Sequence, residues 1–589
     1  MNGERAIAYF SMEIAVDPAV PTYSGGLGIL AGDTLRSAAD AEIGMVALTL
    51  VHRKGFLRQR FDQSGWQHGD PDEWAVEKFL TEMPGRVQVQ LENRVIQLRA
   101  WRYEITGITG FKVPVYFLDA DLSENAPWDR TLTHYLYGGD TYYRLCQEVI
   151  LGIGGVRMLR ALSYNQLKRY HMNEGHSSLL TLELLAETAK RANRTFATEA
   201  DIESVRASCI FTTHTPVAAG HDQYPMDLVG RVLRGNHDLF TLHDGPSMVV
   251  FDQILQLPPE TPPTGDIFRQ DIILNLTYLA LNFSHYVNGV AKRHAEVSRH
   301  LFTKYRIDEI TNGVHAPTWV APALRELFDR HMPGWEADNF SLRYAINLPP
   351  TELWAAHLAE KHRLLEHVRA STGTDLDPDV LTLGFARRFT PYKRADLLLS
   401  DPQRLYAIAA KIGKLQVIYS GKAHPNDEGG KEIIQHILRI KDAVQPDVRI
   451  VYLENYDINF ARLVTAGVDV WVNTPLPPLE ASGTSGMKAA LNGIPSLSIL
   501  DGWWLEGCIE GITGWSIGER PAEDDPLPAA ERNPRDADAF YRKLETIVLP
   551  AYYRNRAGFI DMMRYAIALN GSFFNTQRMI QQYALKAYL

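Results

Sequence analysis

Cysteine is scarce in this chain: among 589 residues there are three, Cys146, Cys209 and Cys508, far apart and forming no CxxC pair. That excludes a disulfide framework and a structural zinc site of the usual spacing, and it points to a reducing cytoplasm. Long apolar runs are also missing. No stretch reaches the roughly 20 residues that span a bilayer, and the opening MNGERAIAYFSMEIA lacks a basic segment followed by an apolar one, so neither secretion nor membrane insertion is expected. Charge of one sign never accumulates into a block. The net charge is −10 without long runs, which leaves no electrostatic footprint for nucleic acid or an anionic membrane and makes any anion binding a local matter. Internal repeats and low-complexity tracts are absent as well.

What is present is the composition of an ordinary globular protein, 45% apolar and 22% charged. A chain this long exceeds the roughly 250 to 300 residues that one core can organise, so two large domains and a cleft between them are expected. The second half reads as alternating strands and helices. Apolar runs stand at 380–386 (VLTLGFA), 415–420 (LQVIYS), 448–454 (VRIVYLE), 468–473 (VDVWVN) and in IPSLSIL, separated by helical patterns from Ala395, Lys431 and Asn459 and by KAALNG. Uniformly apolar strands between amphipathic helices predict a parallel sheet covered on both faces. The first half repeats the theme more loosely in IAYFSMEI, MVALTLVH, KVPVYFLDA, LKRYHMN and ASCIFTT. Between them, about 320–378, the chain reads helical and carries the hinge. The expected division is 1–345, 346–550 and a helical tail, 551–589, that packs back across one of the two domains, the first being the candidate, although the sequence does not decide which.

In open parallel sheets, ligands bind beyond the carboxyl ends of the strands, where loops converge. Here each such end carries an unusual polar segment: RRFTPYKR, GKAHPND, NYD, TPLPPLEASGTSGMK and DGWWLEG in the second half, and YSGGLGILAGD, HMNEGHS and THTPVAAGHD in the first. Gly25, Gly26 and Gly28 precede a helical pattern and read either as plain loop punctuation or as an anion-binding turn. Arg387, Arg388, Lys393 and Arg394 crowd eight positions at a strand end, which favours a site for more than one phosphate over a solvated loop. In EASGTSGMK, small and hydroxyl residues lead to Lys488 at the start of an apolar helix. Burial there would lower the lysine pKa, as a bond to an aldehyde cofactor requires, although chemistry alone still favours a solvated lysine. His171, Glu174, His176, His214 and His221 carry no zinc spacing and read as cleft-lining polar residues, with no metal expected.

The run EASGTSGMKAALNG resembles the signature of the α-glucan phosphorylases. YSGGLGILAGD, HMNEGHS, FTTHTP, SHYVNGVA, TNGVH, RRFTPYKR and SGKAHPND resemble further blocks of that family, in its order, from about residue 9 to 510. The resemblance is strongest to the short bacterial and archaeal branch, where SGTSGMK replaces the form found in animal and plant enzymes. It implies an α/β protein with two Rossmann-like doubly wound domains facing across a cleft (the GT-B glycosyltransferase fold), and pyridoxal 5'-phosphate joined to Lys488. By the same matching, Thr484, Gly26, Arg387 and Tyr456 would hold that cofactor. Gly25, Leu27, Arg388 and Lys393 would hold substrate phosphate. Glu480, Ser482, Gly483, Tyr392 and His214 would meet the sugar, and His285 would be the histidine that contacts the reacting ring; without the motif, His285 reads as a satisfied core histidine. The implied reaction is retaining phosphorolysis of glycogen, starch or maltodextrin by inorganic phosphate to glucose 1-phosphate, assisted by the cofactor phosphate, in a possible homodimer. No segment resembles the phosphoserine and nucleotide region of the animal enzymes, so their allosteric control is not expected. A nucleotide-sugar transferase of the glycogen synthase kind, or a glucan-binding regulator without turnover, are the competing readings.

Overall fold

The computed structural model describes residues 5–216, 221–236, 273–444, 446–520 and 528–589. In chain order the first half carries β1 (Ile7–Ser11), β2 (Met45–Leu50), a small hairpin of β3 (Arg58–Phe61) and β4 (Gln67–Asp70), β5 (Thr81–Leu91), β6 (Arg94–Thr106), β7 (Lys112–Asp119), β8 (Arg169–Asn173), β9 (Cys209–Thr212), the pair β10 (Gln223–Pro225) and β11 (Ile273–Asn275), β12 (Tyr286–Gly289) and β13 (Asp308–Glu309). Nine of these make one sheet in the order β13-β12-β9-β8-β1-β2-β7-β6-β5. Every pairing from β13 to β7 is parallel, while β6 and β5 add an antiparallel edge. Strands β1 and β2 are buried along their whole length, as a parallel sheet covered on both faces requires.

The second half contributes β14 (Leu381–Ala386), β15 (Leu415–Ser420), β16 (Val448–Leu453), β17 (Val470–Asn473), β18 (Ser496–Ile499) and β19 (Gly514–Ile517). All their pairings are parallel and the order is β16-β15-β14-β17-β18-β19. Counted from β14 this is 3-2-1-4-5-6, the doubly wound order, and its direction reverses between β14 and β17. The first sheet reverses between β1 and β8. The loops that leave these four strands therefore open into crevices rather than onto covered sheet. Two details depart from the sequence reading. The helix expected from Ala395 begins only at Pro402, because Asp401 accepts the Arg404 amide at 2.9 Å and proline suits the first turn. The series also does not close at β18 but gains β19.

The linking region is helical as expected, with Pro322–His331, a 3₁₀ segment Asn339–Asn347, and Pro350–Thr372 ending at Gly373 with φ +70°. Contacts between the halves are specific. Gln59 in β3 exchanges hydrogen bonds with Asn455, and Gln67 in β4 donates to the Ala423 carbonyl at 2.9 Å. The tail crosses back to the first sheet. Ser37 meets Thr576 at 2.6 Å, Tyr583 meets Thr212 at 3.0 Å, and Tyr588 meets His171 at 2.8 Å. Among the described residues no helix is long and apolar enough to cross a membrane.

Candidate active site

After β1 the chain buries Glu13, whose carboxylate accepts the amides of Ser24 at 2.5 Å and Gly25 at 3.3 Å and the Tyr137 hydroxyl at 2.9 Å. Burial pushes this carboxyl upward. The helix Gly26–Asp40 then starts without a side-chain cap, and no acceptor among the described residues takes the amides of Gly26 or Leu27. Open helix-start amides are an anion-binding feature. A Cβ built at Gly25 or Gly26 would meet nothing within 4 Å, so the turn faces open space. Further along, the same helix is clamped: a Cβ at Gly32 would lie 2.1 Å from the Ala15 carbonyl oxygen.

The loop after β14 supplies cations. Arg387 donates to Asn473 Oδ1 at 3.0 Å and to Glu480 Oε2 at 2.8 Å, and its buried Nε has no partner among the described residues. Lys393 reaches the same Glu480 Oε2 at 2.5 Å and lies 4.4 Å from the Tyr392 ring centre. Arg388 is exposed, makes no ion pair among the described residues, and is close enough to Glu13 to favour that carboxylate's ionised form. Arg394 separates from this group. Its guanidinium is spent on the Thr474 and Pro475 carbonyls, Asn533 and Asp536, so it braces the loop instead of adding to the anion site expected from the sequence.

The loop after β17 completes the arrangement. Burial opposes ionisation of Glu480, but Arg387 and Lys393 more than offset it and hold the carboxyl at about 2. Both cations use Oε2. The Glu480 amide donates to Asp501 Oδ2 at 2.9 Å, while burial, with Glu480 adding like charge, raises the Asp501 carboxyl to about 7. Gly483 adopts φ +81°, a conformation that favours glycine. Ser482 Oγ is buried without a partner among the described residues. Thr484 leads into the helix Ser485–Leu491 with its side chain uncommitted to capping. On that helix Lys488 is 5% exposed, makes no hydrogen bond or ion pair among the described residues, and lies 3.8 Å from the Trp319 ring centre. Burial lowers its amine to about 8, against a smaller opposing pull from Asp33. The lysine is buried, so the solvated reading does not hold. Tyr456, beyond β16, is half-buried, and burial raises its hydroxyl while Arg387 draws it down, which sets it on the Arg387 side of the crevice.

His214 follows β9. Its amide donates to Glu174 at 2.7 Å and its Nε2 pairs with Asn173 Oδ1 at 2.7 Å; burial depresses it to about 3, so the ring is neutral near pH 7. His285 lies elsewhere. It precedes β12, its amide donates to the Arg206 and Cys209 carbonyls at 3.1 Å, and its Nδ1 sits 2.8 Å from the Cys209 oxygen. Since β9 begins at Cys209, His285 stands at the amino rim of the sheet, the opposite edge from every residue above. The structure does not bring it to the crevice, and its ring is satisfied as a packing histidine. Among the described residues no cluster of histidine, cysteine or acid side chains could hold a metal.

Sequence reasoning missed Glu13, Asn473, Trp319 and Asp501. Asp501 was within reach, as it is the second residue past β18 in DGWWLEG. Glu13 was concealed by the apolar run around it, and the burial of Trp319 beside Lys488 depends on tertiary packing alone.

Comparison with known proteins bears on the same residues. The family model described as carbohydrate phosphorylase matches residues 156–510. A maltodextrin phosphorylase of Thermococcus litoralis is 38% identical over 619 aligned positions covering 99% of this chain and 70% of that protein. A glycogen phosphorylase of Mycobacterium tuberculosis is 37% identical, with 99% and 70% covered, and one of Aquifex aeolicus is 35% identical, with 99% and 86% covered.

Proposed function

The chain belongs to the carbohydrate phosphorylase family and is a glycosyltransferase of the GT-B fold, and from that premise we propose that it catalyses reversible, retaining phosphorolysis of an α-1,4-glucan to glucose 1-phosphate. The observation that carries this reading is the convergence, at one reversal of strand order, of Arg387 and Lys393 on Glu480 with the buried amine of Lys488 nearby in sequence on the following helix.

The residues fit pyridoxal 5'-phosphate. A buried amine held at about 8, an unpartnered Arg387 Nε and open helix-start amides at Gly26 and Leu27 are what an aldehyde bearing a phosphate needs. Lys488, Thr484, Gly26, Arg387 and Tyr456 would hold it. When bound, the cofactor supplies a phosphate group that exchanges a proton with the substrate phosphate.

Arg388, Lys393, Gly25 and Leu27 bind the incoming inorganic phosphate. Two dianions side by side repel by several kcal/mol unless cations surround them, which is the work of Arg387, Arg388 and Lys393. Glu480 keeps Oε1 clear of both cations, so that atom can accept from a glucose hydroxyl; Ser482 Oγ, buried and unpartnered, is a second contact. Gly483, Tyr392 and neutral His214 complete the sugar's surroundings. A crevice closed by both halves excludes water, which would otherwise convert the sugar to free glucose.

The test is release of glucose 1-phosphate from maltodextrin and inorganic phosphate. Lys488→Ala should abolish it, and borohydride reduction followed by peptide mass spectrometry should place a pyridoxyl group on Lys488. Protein without that adduct that still turns over sugar donors at full rate overturns the assignment. Buried Cys146 and Cys209, both free, suit a reducing compartment.

A further inference from the structure

Apart from the crevice, a groove of 580 Å³ lies between the halves, with Lys292, Arg293 and Glu296 on one wall and Glu506 and Arg520 on the other. Its carboxylates are already engaged. Glu506 accepts from the Lys292 amide at 3.0 Å and from Thr311 Oγ1 at 2.9 Å, and Glu296 pairs with Arg293 at 3.1 Å. Its donors are not. Among the described residues, the Lys292 ammonium and the Arg520 guanidinium have no acid partner, and Asn570, a lining residue only 3% exposed, has a side-chain Nδ2 that donates to nothing. Buried donors are rarely left in that state. Ile509, Leu569 and Phe573, 44%, 41% and 42% exposed, add an apolar surface to the same groove.

Two unpaired cations beside a buried unmet donor suit an acceptor-rich anion, and the apolar surface suits a hydrocarbon body. We propose that this groove binds a small amphiphilic anion, a phosphate monoester carried on an aromatic or hydrocarbon group, and that its occupancy tunes glucan binding. The second clause rests on the function proposed above and on one loop. Asp501 holds the Glu480 amide at 2.9 Å, the Trp503 amide donates to the Ser482 carbonyl at 2.9 Å, and Glu506, a few residues on, ties the loop to Lys292. A ligand that engages Lys292 and Arg520 draws on the wall that supports the sugar-binding segment. Any resulting coupling is reciprocal, so glucan must change the ligand's affinity by the same factor.

Phenyl phosphate is the probe, titrated calorimetrically into the full chain with inorganic phosphate in excess to fill the catalytic anion site. One saturable site per chain is expected to survive the excess phosphate. It should weaken by about tenfold or more in the Lys292→Gln, Arg520→Gln double variant, whose two positions are exposed and outside the crevice. Saturating maltodextrin should shift the probe's affinity by about fivefold or more. Complete displacement by inorganic phosphate, absence of a saturable site, or a double variant that titrates like the parent overturns the binding proposal. An affinity unmoved by maltodextrin overturns the coupling. Calorimetry needs no turnover, so failure here is distinct from failure of the phosphorolysis assay.

Discussion

Two arginines six positions apart, Arg388 and Arg394, look alike in the sequence and differ in exposure and in partners. Arg388 is exposed and, among the described residues, without an ion-pair partner, whereas Arg394 is 4% exposed and held by two carbonyls, Asn533 and Asp536. Arg388→Ala should therefore leave the melting temperature within a degree or two, at about 0.5 kcal/mol or less, and raise KM for phosphate. Arg394→Ala leaves buried Asp536 with only the longer 3.7 Å contact to Arg532 and should destabilise by about 3 kcal/mol, read as a lower denaturant midpoint. Lys488 offers a pH test. Its amine is charged below about 8 rather than 10.5, so loading of cofactor-stripped protein with pyridoxal phosphate should rise about tenfold per pH unit and level off near pH 8. An exposed lysine would keep rising for two further units. The stability linkage has the matching sign: the contribution is present above the unfolded value of 10.5 and is lost as pH falls through about 8.

At the scale of elements, the helix Gly26–Asp40 has an open start and a clamped middle, and the two places predict opposite phenotypes. Gly26→Ala adds a Cβ into open space and should keep the fold while raising KM for phosphate by about tenfold, since its methyl occupies room the anion needs. Gly32→Ala meets the Ala15 carbonyl and should destabilise by about 2 kcal/mol or more, with catalysis per folded molecule retained. Thermal melts beside initial rates separate the two. Strands β14 to β18 were legible as apolar runs because a parallel strand covered on both faces is apolar at most positions. Strand β19 was not: GWSI is four residues long and opens on a glycine with φ +148°. The β5–β6 hairpin escaped for the converse reason, as β5 is half exposed and follows no continuous apolar run. The crevice was legible wherever a polar segment follows a strand. His285 shows the limit of motif matching, for a residue that precedes a parallel strand stands at the far rim from one that follows it, and His214 satisfies that rule where His285 does not.

Across the whole molecule the halves are joined by contacts that neither makes alone. Residues 576–589 belong in sequence to the second half and in space to the first, where Ile580 packs in one cluster with Ile7, Tyr9 and Leu35, and Met579 and Tyr583 pack with Leu30 and Ile210. Deleting this segment removes, among others, the large buried side chains Met579, Ile580 and Tyr583 at about 2 kcal/mol each, or about 6 kcal/mol for these three. Hydrogen exchange should show β8 and β9 losing protection while β14 and β15 keep theirs; equal loss in both sheets would contradict the placement.

That crossing also orders events during synthesis. The first sheet emerges early from the ribosome, yet the groups that seal the surface around His171 are translated only after all six strands of the second sheet. Until then Tyr9, Leu30 and Ile210 lack the cover the tail gives them, and the nascent amino-terminal half waits as an incomplete core, a natural client for chaperones that shield apolar surface.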